Sequence, residues 1–215
     1  MTLSELTSLL FQEINFNLPG EKAHELMAPY KREKASSINI PDKNPKQSAV
    51  LMLIYPKNDI PHFTLIQRTA YEGTHGGQIS FPGGKQEAEE SLKETALRET
   101  FEEIGVAPDK IQVLGEITQI YIPPSNFLVS PFVGFVDFEP VFTPEVKEVE
   151  EIIEVKISDL TDASKIKQKK IKVGKYTETP VLIDVPYFDL NHNTVWGATA
   201  TILSEVRQML INGLK

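Results

Sequence analysis

Three carboxylates crowd one short stretch, "RETFEEIG" at 98–105: Glu99, Glu102 and Glu103. On a helix, residues three and four positions apart are neighbours, so Glu99 faces both Glu102 and Glu103. Arg98 can reach Glu94 and Glu102, one turn away on either side, but neither Glu99 nor Glu103 has a basic partner on its own helix. Like charges at this spacing, placed at the negative end of the helix dipole, cost on the order of 1–3 kcal/mol. A helix that served only to pack would gain from a lysine at one of these positions. Hard carboxylate oxygens at i, i+3 and i+4 on a rigid element suit Mg²⁺ or Mn²⁺ instead. The competing reading is an acidic face turned to solvent. Just upstream, "FPGG" at 81–84 is a tight turn whose glycines let the backbone come close to a ligand or metal, with the Gly84 carbonyl as a candidate further ligand.

The helix that must carry these groups is bounded by local signals. Ser91 and Glu94 of "SLKE" form a capping box at its start, and Gly105 closes its end. At about 100° per residue, Ala96, Leu97, Thr100, Phe101 and Ile104 share one arc and face the core, with the three glutamates on the neighbouring arc. Strands are predicted at 49–55, 62–67, 78–81, 111–117, 132–136, 152–157, 170–173 and 180–183. Helices are predicted at 92–104 and 198–212, the second stopping at Gly213, and also at 2–13 and 20–34. Residues 35–48 are turn-rich and read as a linker. The expectation is an α+β fold: one domain over 45–215 with a mixed β-sheet and packed helices, preceded by a helical N-terminal extension over 1–40.

Composition narrows the functional classes. The chain has 215 residues, a net charge of −8 and a pI of about 5.1. That charge argues against sequence-independent binding to a nucleic-acid backbone, which depends on Lys and Arg. The longest near-pure apolar run, 49–55, is far too short to span a bilayer. The N-terminus carries acids and no basic region of a signal peptide. With no cysteine, the chain has no disulfide, zinc-thiolate site or cysteine nucleophile. The expectation is a cytoplasmic protein, monomer or homodimer, without nucleic-acid or membrane partners. One basic patch stands out: residues 165–175 hold six lysines. It reads either as a solvated hairpin face or as an attractor for a phosphorylated ligand.

The run from Gly84 to Val106 resembles the Nudix box. Gly84, Glu90, Arg98, Glu99, Phe101, Glu102, Glu103, Ile104, Gly105 and Val106 occupy its positions, and Thr100 alone departs, standing where an apolar residue is usual. The resemblance implies an α/β/α sandwich and hydrolysis of a nucleoside diphosphate derivative with Mg²⁺ or Mn²⁺. It implies Glu99 and Glu103 as main metal ligands, Glu102 as an auxiliary ligand or water-activating residue, and the Gly84 carbonyl as a further ligand. Arg98 is implied to orient box carboxylates, Glu90 in particular. A metal-activated water would attack one phosphorus of the diphosphate. Glu102 is the first candidate for general base, with Glu151 or Glu148 next.

Upstream, "LIQRTAYEGTHGGQISFPGG" at 65–84 is similar to the segment that precedes the box in coenzyme A pyrophosphatases. Arg68, His75, Gly77, Gln78 and Phe81 to Gly84 match, whereas Glu72-Gly73 replaces a Leu-Arg pair. Arg68, His75, Gly77 and Gln78 are thereby implied as substrate-binding residues. The implied substrate is coenzyme A or a derivative, cleaved to 4′-phosphopantetheine and adenosine 3′,5′-bisphosphate. Two alternatives stay open: another nucleoside diphosphate derivative, such as ADP-ribose or a dinucleotide, or a Nudix domain that senses a ligand without catalysis. Arg68 could also be a structural ion pair, and His75 a hydrogen-bonded turn residue. Phe81, Phe132 and Trp196 read as core.

Overall fold

The computed structural model describes residues 1–28, 43–69, 77–173 and 181–213. Its central sheet is built on strand β1, Lys46–Lys57. β1 pairs antiparallel with β2 (Ile60–Arg68) on one side and parallel with β7 (Phe127–Phe135) on the other. The short strands β3 (Ile79–Ser80) and β4 (Gly83–Lys85) pair with β2 and β1. β5 (Gln112–Glu116) and β6 (Ile120–Ile122) pair with β7, and β8 (Val149–Lys156) pairs with β2. The sheet is mixed, as expected.

The near-continuous apolar run of β1 follows from burial on both faces. Met52 and Ile54 look into one core with Phe63, Leu65 and Phe81, covered by helices α1 (Leu3–Phe16) and α5 (Gly197–Gly213). Ala49, Leu51, Leu53 and Tyr55 look into the other, covered by helix α3 (Leu92–Ile104). The outcome is the α/β/α sandwich. Leu6, Leu10, Ile14 and Met27 of the N-terminal segment are buried in the first core. Helix α4 (Ile157–Thr161) follows β8. A second sheet joins β9 (Ile166–Val173), β10 (Val181–Leu190) and β11 (Asn193–Trp196).

Two expectations change. The helix predicted over 20–34 is one short turn of helix α2, Glu21–His24, with residues 29–34 outside the described ones. Of the strand predicted at 180–183, residue 180 lies outside the described ones and 181–183 begin the ten-residue β10, which returns as β11 through a two-residue loop. That loop holds Asn191 and His192 at φ 50° and 65°, a turn without the glycine that would have announced it. The lysine-rich run forms β9, where Lys167 pairs with Asp189 and Lys169 lies near Thr194 and the Tyr187 ring. Lys175 lies outside the described residues. Phe81 and Phe132 are buried as expected, and Trp196 is half-buried.

Candidate active site

Helix α3 begins and ends as its sequence requires. Ser91 accepts the Glu94 backbone N–H, the Glu94 carboxylate returns to the Ser91 N–H at 2.7 Å, and Gly105 adopts φ 79°. Its buried stripe is rotated relative to expectation. Thr95, Ala96, Thr100, Glu103 and Ile104 are buried, whereas Phe101 is 51% exposed. Thr100 satisfies its hydroxyl by donating to the Ala96 carbonyl at 2.7 Å, so a polar residue fits the apolar slot.

The rotation brings Glu103, 1% exposed, onto the sheet. Its Oε1 accepts from Arg68 Nη1 at 2.7 Å, and its Oε2 accepts from the Gly83 backbone N–H at 2.8 Å. The antiparallel ladder explains that N–H. Leu51 bonds to the Pro82 carbonyl and Gln86 to the Gln47 carbonyl, so Val50 and Gly83 form a non-hydrogen-bonded pair between these rungs. The Gly83 N–H therefore points away from β1, toward α3. Gly83 sits at φ 153°, and a Cβ there would lie 2.3 Å from the Ala49 carbonyl oxygen. Burial pushes the Glu103 carboxyl up to about 7, against the opposing pull of Arg68 and the Gly83 N–H.

Arg98 organises the remaining carboxylates. It donates through Nε and Nη2 to both oxygens of Glu90, at 3.1 and 2.9 Å, and through Nη1 to Glu99 at 3.0 Å and Glu102 at 2.9 Å. The paired guanidinium holds Glu90 down to about 2, helped by the Glu87 N–H and the Thr95 hydroxyl. Burial raises Glu99, with Arg98 opposing. Glu99 thus has a basic partner on its own helix, against expectation, whereas Glu103 has none there, as expected. Arg98 turns to Glu90 and Glu99 instead of Glu94, whose carboxylate caps Ser91. Glu103 finds its cation on β2, a partner no helical spacing could reveal.

Glu148 joins from the loop before β8, with Arg68 Nη2 at 3.7 Å. Among the described residues, five carboxylates thus share two guanidinium groups. Among the described residues, no three acidic or imidazole side chains already converge as a metal cluster. The reason is that Arg68 holds Glu103 while Arg98 holds Glu99 and Glu102. The donor set still fits a hard divalent cation, because it offers carboxylate oxygens in excess of positive charge and no soft ligand.

Gly84 faces this set. A Cβ there would lie 2.3 Å from the Glu99 carboxylate, which is the far end of a side chain rather than backbone. Gly84→Ala is expected to lower activity by at least about tenfold by displacing Glu99, while stability falls by less than about 1.5 kcal/mol. Paired turnover and denaturant-melt measurements check this, and a collapse of stability with normal turnover in the remaining folded protein would contradict it.

The other sequence candidates divide. Alternation along β2 puts Ile66 and Arg68 on the α3 face and Leu65 and Gln67 on the opposite one. Gln78 pairs with Arg68 across β2 and β3, its carbonyl accepting the Arg68 N–H at 3.0 Å. Glu151 is in register with Gln67, so it stands on the face away from α3, whereas Glu148 lies beside Arg68. Gly77 is exposed at φ 72°, and its N–H donates to the Thr69 carbonyl at 3.3 Å. His75 lies outside the described residues.

The family model of the NUDIX domain matches residues 45–179. The chain belongs to the Nudix family. Nudix hydrolase 3 of Caenorhabditis elegans is 27% identical over 207 residues, covering 90% of this chain and 80% of that protein. The protein named Uncharacterized Nudix hydrolase NudL in Pectobacterium atrosepticum is 31% identical, covering 75% and 81%. The human Mitochondrial coenzyme A diphosphatase NUDT8 is 30% identical over 175 residues, covering 79% and 71%. Among solved structures, the Nudix hydrolase RenU of M. smegmatis shares the fold with a TM-score of 0.51 at 16% identity, covering 78% of this chain and 87% of that one. The chain is a Nudix hydrolase. Among the described residues, no helix of this hydrolase is long and apolar enough to cross a membrane.

Proposed function

We propose that this Nudix hydrolase cleaves the diphosphate of coenzyme A or its derivatives, yielding 4′-phosphopantetheine and adenosine 3′,5′-bisphosphate. The observation that carries the reading is the shared face of Arg68 and Glu103, which joins the upstream segment to the box. The 30% identity to a coenzyme A diphosphatase supports the same substrate. Glu99, Glu103 and Glu102 would hold Mg²⁺ or Mn²⁺, whereas the Gly84 carbonyl, expected to join them, is turned to β1 in the hydrogen-bonded pair beside Val50–Gly83. The bound cation supplies a water of lowered pKa and neutralises charge on the diphosphate. Arg98, locked on Glu90, keeps Glu99 and Glu102 in position. Arg68 exchanges Glu103 for a phosphate oxygen, a planar donor matched to that group. The water oxygen bonds to phosphorus, the bridging P–O bond breaks, and a rim carboxylate takes the water's proton. Glu102 and Glu148, each with a side chain 54% exposed, are the candidates for that role.

A second reading keeps the chemistry and changes the substrate. Glu72-Gly73 lacks the arginine of the coenzyme A pattern, which favours ADP-ribose or a dinucleotide. Product analysis with coenzyme A, ADP-ribose and a dinucleotide, each with Mg²⁺, Mn²⁺ or chelator, separates the two. The expected result is metal-dependent release of 4′-phosphopantetheine, fastest from coenzyme A and abolished by chelator. Turnover of the other substrates alone would sink the coenzyme A assignment.

A further inference from the structure

Ser80 carries a hydroxyl that finds no partner among the described residues. Its neighbours Ile79 and Phe81 pack into the core beneath α1 and α5. Ser80 is in register with Ile66, whose side chain packs in the core on the α3 side. Alternation therefore places Ser80 on the face of Arg68 and Gln78, diagonally across the β2–β3 edge from Arg68. Three residues further on, Gly83 gives its N–H to Glu103. The Ser80 Oγ is buried and makes no hydrogen bond among the described residues. Such an atom bears a desolvation cost that alanine would avoid.

We infer that Ser80 is a positioning residue for Glu103. When Arg68 turns from Glu103 to the substrate phosphate, the Ser80 hydroxyl takes over as donor to the carboxylate and keeps it in place. The inference rests on the reading above that Arg68 meets a phosphate. It explains a buried hydroxyl idle in the free protein, on the same sheet face as the Arg68–Glu103 ion pair that the reaction must open. The Ser80 Oγ makes no bond to Glu103 in the free protein, so the handover takes a rotation about the serine Cα–Cβ bond, which swings the hydroxyl toward the carboxylate.

A double-mutant cycle of wild type, Ser80→Ala, Arg68→Met and the double variant tests it through melting temperature and steady-state kinetics. Ser80→Ala alone is expected to melt at or above wild type. With the fastest diphosphate substrate, its kcat falls roughly tenfold while KM stays near wild type. In the Arg68→Met background, where Glu103 has already lost its cation, Ser80→Ala should lower the melting temperature further. Additive melting temperatures, or a loss of stability in Ser80→Ala alone, would overturn the inference. The stability arm decides it even if coenzyme A is not the substrate, so failure of the substrate assignment and failure of the Ser80 role remain distinct.

Discussion

Glu103→Gln is expected to lower kcat by about three orders of magnitude or more and to leave the protein folded. The expected loss corresponds to about 4 kcal/mol of transition-state stabilisation, the scale of removing a cation's ligand at a phosphoryl centre. Glutamine is nearly isosteric and can still accept the Gly83 N–H, so the α3–β4 contact survives. It cannot supply the negative charge that Glu103 adds to a set already richer in carboxylates than in guanidinium groups. The structural cost is moderated by a second effect. Burial already opposes ionisation of Glu103, so neutralising it removes a desolvation penalty along with the Arg68 ion pair. Turnover and a denaturant melt on the same preparation check the result. A folded Glu103→Gln protein with near-wild-type kcat would remove Glu103 from the chemistry. Retained ligand affinity in a wild type without turnover would favour a sensing domain.

Glu205→Ala is expected to have the largest effect on stability, about 3–5 kcal/mol. Glu205 is fully buried on α5. Its carboxylate accepts the Gly20 N–H at 2.9 Å, the Thr118 N–H at 3.2 Å and the Thr118 hydroxyl at 2.6 Å, and lies 3.0 Å from His24 Nε2. One side chain thus ties the turn before α2, α2 itself and the segment between β5 and β6 to the C-terminal helix. Alanine leaves the half-buried Gly20 and Thr118 donors and the buried His24 ring without this partner, and each carries its own desolvation cost. For a chain of this size the melting temperature should fall by about 6–20 °C. Glu205→Gln, which retains one acceptor oxygen, should lose less. Unchanged melting of Glu205→Ala would show that the N-terminal segment is held by Leu6, Leu10, Ile14 and Met27 alone.

What was legible in the sequence is what short-range chemistry controls. Both ends of α3 follow from contacts within a few residues: the reciprocal Ser91–Glu94 cap and the left-handed Gly105. β1 announced itself through an apolar run that two buried faces demand. The box residues identified the helix that carries the carboxylates, although they did not say how it turns. Helical periodicity puts Phe101 on the core arc of Ala96, Leu97, Thr100 and Ile104, but it does not fix how the helix is rolled on the sheet, and the structure turns Phe101 outward. Its exposure is the consequence of giving the buried arc to Glu103, and only cross-strand partners make a buried glutamate tolerable. The Asn191–His192 turn was missed because neither residue is the glycine that such a turn favours.

The sequence by itself determined the α+β class, the box helix and the set of carboxylates able to take a divalent cation. The tertiary structure alone decided their partners. Arg68 meets Glu103 across 35 positions, and Gly20 meets Glu205 across 185. Such pairings depend on strand register and on the order of strands in the sheet, because a shift of one residue would turn Arg68 to the opposite face. That same register set Glu148 beside Arg68 and put Glu151 on the far side of the sheet. Local spacing records which groups a helix carries, whereas the sheet decides which of them meet.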